Sequence, residues 1–123
     1  LDFEGEPLRS LPERRAHHSP LKDVAGMLRS LSYAAETGLR NAGGATPQLE
    51  AWISAWEQQA RVAFLDGYAD ATHGAAFIPR SEDTLGKAIA VFELEKAFYE
   101  LNYELNNRPD WLPIPLRGIQ RTL

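Results

Sequence analysis

Near the end of the chain, Glu95, Lys96, Tyr99 and Tyr103 combine residue types and a spacing that suit a carbohydrate. At about 100° per residue they continue a helical stripe that begins with Leu85, Ala88 and Phe92 and ends at Asn106. A second stripe, Val91, Leu94, Phe98, Leu101 and Leu105, lies on another side of the same helix and reads as a plain core face. A core does not favour Glu, Lys and Asn, because each buried polar group costs free energy unless paired. Tyrosine rings can stack on the C–H faces of a sugar while carboxylate, amine and amide groups take its hydroxyls. The alternative is a helix groove in which the tyrosines simply pack and Glu–Lys pairs lie at the rim. Periodicity leaves both open.

The other candidates are weaker. His17 and His18 are adjacent, so they do not share a helix face, and no third ligand lies at metal spacing. The run Glu13–Arg15 could grip a phosphate through its arginine forks, but it also reads as an exposed charge run. Asp23 stands at the start of a helix and is followed by small residues; such a carboxylate caps backbone N–H groups, its own or a neighbouring loop's. Trp52 and Trp56 fall in an apolar seam and are expected in the core. The chain carries no Ser-His-Asp constellation, no P-loop and no dinucleotide-binding glycine fingerprint.

Three long helices must position these residues. The stretch over residues 6–19 mixes prolines, charges and the two histidines, fits neither a strand nor a helix period, and reads as a connector. Ser19 and Pro20 then make a cap and first helical position, with Asp23 in the first turn. Leu21, Val24, Leu28, Leu31 and Ala35 follow at helical spacing, and "NAGGATP" ends this helix near Gly38 or Asn41. Thr46-Pro47 opens the second, whose seam is Leu49, Trp52, Ile53, Trp56, Ala60, Phe64, Gly67, Tyr68 and Ala71. Running to about Asp70, it is roughly 35 Å long. Ser81 caps the third, with Glu82 and Asp83 set favourably against its dipole, and Pro109 stops it. The tail "LPIPLRGIQRTL" reads as a short end with room for one more helical turn after Pro115. The expected architecture is all-α: a single domain over 1–123, with residues 1–18 as strand end and connector and 19–123 as a helical bundle.

Composition sets broad limits. With 123 residues and 44% hydrophobic content, the chain is long enough for one sizeable core. A formal net charge of −4 argues against nucleic-acid binding. The absence of cysteine removes disulfides and thiolate metal sites, and no apolar run approaches a bilayer's width. A cytoplasmic protein with no membrane contact is the expectation.

The chain opens on "LDFEGEP", without an initiator methionine. Leu1-Asp2-Phe3 reads as the end of a buried strand and Glu4-Gly5-Glu6-Pro7 as the turn after it, yet no partner strand is near to satisfy its backbone. "DFEG" resembles the Asp-Phe-Gly signature with which kinase-like folds hold magnesium on ATP phosphates. Taken with "ERRAHHSPLKDVAGMLRSLSYAA" and "EKAFYELNYELNNRPDWLPIPLRGI", it resembles the C-terminal part of bacterial maltokinases, stand-alone or fused to trehalose synthase. The likeness covers almost the whole chain and is weakest over residues 40–80.

That resemblance implies the C-terminal lobe of an aminoglycoside-phosphotransferase-like kinase fold. It also implies an ATP-dependent transfer of a phosphoryl group to the anomeric hydroxyl of maltose. Asp2 would be the Mg²⁺ ligand, and Glu4 beside it in the cofactor-binding motif would support the metal shell or only the loop. Asp23 would brace the catalytic loop from beneath. Glu95, Lys96, Tyr99 and Tyr103 would line the acceptor-sugar side. The nucleotide lobe, the phosphate-binding lysine and the catalytic aspartate of such a kinase are expected upstream of Leu1. The 123 residues are therefore expected to be inert alone, since phosphoryl transfer needs several parts at once. From a different class, an independent helical module that binds a protein partner or a glycan accounts equally well for the caps and seams. It leaves the opening strand end unexplained.

Overall fold

The computed structural model describes residues 19–123, which form four helices: α1 (Pro20–Asn41), α2 (Pro47–Ala71), α3 (Glu82–Asn107) and α4 (Pro113–Thr122), with a 3₁₀ turn over Pro109–Trp111 between the last two. Among the described residues there is no strand, and the fold is all-α. Residues 1–18, where a strand end and a connector were expected, lie outside the described residues. The helix count is four rather than three. The tail that promised one turn forms ten helical residues, because Pro113 occupies the first helical turn, where its missing N–H is harmless, and Arg121 sits in the last turn.

Each long helix begins as its sequence dictates. The Ser19 hydroxyl accepts from Leu21 N at 3.3 Å, Thr46 Oγ1 from Leu49 N at 3.2 Å, and Ser81 Oγ from Thr84 N at 3.4 Å. After α1 the chain turns through Gly43 and Gly44, whose φ angles of 96° and 105° are strained for any residue with a Cβ. Helix α1 is the hub: it packs on α2, α3 and α4, while α4 also packs on α3. Its face of Leu21, Val24 and Leu28 forms the apolar core with Ile89, joined by Phe64, Leu65 and Tyr68 of α2 and Leu85, Ala88 and Phe92 of α3. No helix among the described residues is long and apolar enough to cross a membrane.

The faces of α2 and α3 depart from expectation. Trp52 and Trp56, expected in the core, are 67% and 39% exposed. On α3 most of the stripe read as core points outward: Val91 is 64%, Phe98 52% and Leu105 59% exposed, while Leu94 and Leu101 are half-buried. The buried positions of α3 are Ile89, Glu93, Ala97, Glu100 and Glu104, and the buried position of α2 is Glu57. The physical reason lies in α1. Its inward face carries Arg29 and Ser32 among the apolar residues, and burying them requires acceptors from the facing helices. Periodicity states which residues share a face. It does not state which of two candidate faces meets the neighbour.

Candidate functional site

The inward side of α3 and the facing side of α1 enclose a groove of about 290 Å³, lined by Gly26, Arg29, Ser30 and Tyr33 from α1 and by Lys96, Tyr99, Glu100, Tyr103, Glu104 and Arg108 from the end of α3. That volume is at the small end of ligand pockets, which span ~300–1,000 Å³. Three phenol rings, three cations and two carboxylates converge there. The Lys96 ammonium lies 4.9 Å from the centroid of the Tyr99 ring, a cation–π contact that fixes both groups on the groove wall.

The groove floor is ionic. Arg29 Nε donates to both Glu100 oxygens, at 2.8 and 3.2 Å, and the two side chains are 3% and 9% exposed. Glu104 is fully buried, accepts from Arg108 Nε at 3.1 Å and has Arg108 Nη2 in ion-pair contact at 3.0 Å. One oxygen of Glu104 and one terminal nitrogen of Arg29 are buried without a hydrogen-bond partner among the described residues. Burial raises the Glu100 pKa above the ordinary glutamate value, against the lowering effect of Arg29's charge and hydrogen bond. The Tyr33 hydroxyl is likewise raised, first by burial and then by the neighbouring Glu100 and Glu104 charges. The Tyr33 phenol is therefore a neutral hydrogen-bonding group at physiological pH, not a base.

The raised Glu100 value has a consequence for stability. A carboxyl that holds its proton more tightly when folded stabilises the fold below its unfolded value, here 4.5, and that contribution is lost as pH rises through the folded value. Compared with an Arg29→Met/Glu100→Leu variant, the wild type should lose stability as pH rises from 4.5. Urea midpoints of both proteins between pH 4 and 7 check this, and a constant difference would contradict it.

The structure brings together Lys96, Tyr99 and Tyr103 of the expected sugar-facing residues. Glu95 sits apart, 44% exposed, with its carboxylate 3.3 Å from Lys22 Nζ. That pair matches the rim arrangement of the plainer packing alternative. Asp23 is exposed in the first turn of α1, where Ser19 supplies the cap, and its charge together with burial raises the Tyr68 hydroxyl pKa, burial being the larger cause. Asp2 and Glu4, together with Glu13–Arg15, His17 and His18, lie outside the described residues. Among the described residues no three His, Cys, Asp or Glu groups gather where they could hold a metal ion.

Sequence reasoning missed Arg29, Tyr33, Glu100, Glu104 and Arg108. A signal existed: Arg29 and Ser32 interrupt the apolar stripe of α1, while Glu93, Glu100 and Glu104 recur at intervals of seven and four on α3. Together these foretell a face of buried ion pairs.

Next to the groove, Trp111 stacks on Tyr33 with ring centroids 6.1 Å apart. The guanidinium carbons of Arg40 and Arg108 lie 4.3 and 4.5 Å from its ring centroid. Arg40 also donates to the Asp110 carbonyl at 2.8 Å. The "RPDW" segment thus fastens the end of α3 to the end of α1. A larger cavity of about 650 Å³ lies between α1, α2 and α4. Its polar wall is made of the Arg117–Glu36 pair and of Glu57, which takes Ser32 Oγ at 2.5 Å and Arg121 Nη1 at 3.1 Å. No protein-family model matches the chain.

Proposed function

We propose that the chain is the acceptor-sugar part of an ATP-dependent maltokinase, lying C-terminal to the nucleotide-binding lobe of such an enzyme. The observation that carries this reading is the convergence of Lys96, Tyr99 and Tyr103 with Arg29 and Glu100 in one small groove. The rings offer flat apolar faces to sugar C–H bonds, Lys96 brings a donor to the groove wall, and the Arg29–Glu100 pair forms its polar floor. The likeness of "DFEG", "SPLKDVAGM" and "EKAFYELNYELNNRPDW" to maltokinase sequence supplies the reaction class.

In that reaction the anomeric oxygen of maltose forms a bond to the γ-phosphorus of ATP. The bond from that phosphorus to the bridging oxygen breaks, ADP leaves, and the hydroxyl proton passes to a catalytic base. On this reading the base belongs to residues upstream of Leu1. The groove residues of this chain bind and orient the sugar. Asp2 and Glu4, which carry the Mg²⁺ and ATP part of the reading, lie outside the described residues.

The test follows the product. A polypeptide extended upstream through the nucleotide lobe, given Mg-ATP and maltose, should yield a sugar 1-phosphate signal by phosphorus NMR. The signal should vanish in Asp2→Asn while the helical circular dichroism is kept, and the 123-residue chain alone should yield none. An extended polypeptide that binds ATP but phosphorylates neither maltose nor related glucosides would overturn the acceptor. One that is folded and binds no nucleotide would overturn the kinase. In that event the second reading stands: a helical module that docks on another protein, favoured by the outward Val91, Phe98 and Leu105 of α3 and the exposed Trp52 of α2.

A further inference from the structure

Gly118 lies in the middle of α4, on the side that meets Arg29. It is buried, and a Cβ built there would collide with the Arg29 guanidinium, falling 2.7 Å from its central carbon and 2.9 Å from one terminal nitrogen. Real Cβ atoms do not sit this close, so a side chain at 118 would force the guanidinium to shift. The absence of a side chain is therefore what lets α4 close against the guanidinium. The neighbouring arginines of α4 are committed elsewhere, Arg117 to Glu36 and Arg121 to Glu57 and Ser32, so they clamp the helix onto α1 and α2 in this register. Arg29 in turn delivers its Nε to Glu100 on the groove floor.

We propose that Gly118 is a positioning residue: through α4 it seats Arg29, and Arg29 holds the Glu100 carboxylate in place at the base of the tyrosine-lined groove. The device rests on that groove being the ligand site, but it has a signature of its own. The groups facing Glu100 are Arg29 and Tyr33 from α1 and its own helix's Lys96 and Glu104, while α4 presents no charge to it. Of these, Arg29 lowers the Glu100 pKa by charge and by hydrogen bond, so displacing the guanidinium leaves the carboxyl buried with its chief counter-charge gone.

The experiment reads the titration of the Glu100 side-chain carboxyl by carbon NMR in the 123-residue chain, alongside a maltose titration. Gly118→Ala should raise the Glu100 midpoint by about one pH unit or more, and weaken maltose binding. Ile114→Val, which loosens α4 away from Arg29, should leave the midpoint unchanged. Adding Arg29→Lys to Gly118→Ala removes the forked head that the new methyl strikes, and should return the midpoint toward the wild-type value. An unmoved midpoint in folded Gly118→Ala would overturn the proposal, as would an equal shift in Ile114→Val. If Gly118→Ala fails to fold, the double variant must fold; its failure too would place the obstruction elsewhere and overturn the proposal. A shifted midpoint in a chain that binds no maltose supports the positioning role and removes the sugar reading instead.

Discussion

Arg29→Ala should destabilise the fold by about 3–5 kcal/mol, a large share of the roughly 5–15 kcal/mol that holds an ordinary domain folded. The loss does not come from the pair's attraction alone. Arg29 and Glu100 are both buried, and truncating the arginine leaves a carboxylate in the interior with its chief counter-charge gone and only Lys96 still favouring its ionised form. It also strips the facing surface from Gly118. The comparison that separates these effects is Arg29→Met/Glu100→Leu, which removes both charges while keeping apolar bulk. Urea denaturation should place that variant near the wild type or above it, since buried ion pairs are often no better than packed hydrocarbon. A single variant as stable as the wild type would mean that Glu100 finds water or a proton without cost.

Leu28→Ala should cost about 2–5 kcal/mol, because Leu28 is fully buried at the centre of the apolar cluster and its neighbours cannot fully collapse into the gap. Trp52→Ala, although it deletes a far larger side chain, should change stability by no more than about 0.5 kcal/mol. The indole is 67% exposed on the outer side of α2. Thermal unfolding of the two variants gives the ranking directly, and a larger loss for the tryptophan would reverse the assignment of faces.

What could be read from the residues was whatever has a local cause. Ser19, Thr46 and Ser81 cap the helices they were expected to cap, and Leu21, Val24, Leu28 and Ala35 are buried as their spacing required. Which way α2 and α3 face has no local cause. Both helices carry large apolar residues on one side and a repeating glutamate on another, and the choice is made by Arg29 and Ser32 on a different helix. The groove was half legible for the same reason. Lys96, Tyr99 and Tyr103 share a helix, so their spacing announced them. Arg29 and Tyr33 reach the groove from α1, and Glu100 falls outside the aromatic stripe. The fourth helix was underread because its prolines, which stop a helix in its interior, instead fall within its first turn.

The ionic face between the helices also governs how such a sequence can drift. Outward residues such as Val91, Phe98 and Leu105 can each be exchanged for another apolar side chain on their own. Arg29 with Glu100, Arg61 with Glu93, and Glu57 with Ser32 and Arg121 cannot, because either half alone strands a charge or a polar group out of water. Descendants of this sequence should therefore change those positions in matched sets, and a matched change would report that the helices still touch. In this domain the evolutionary record of contact is written in charge rather than in hydrocarbon.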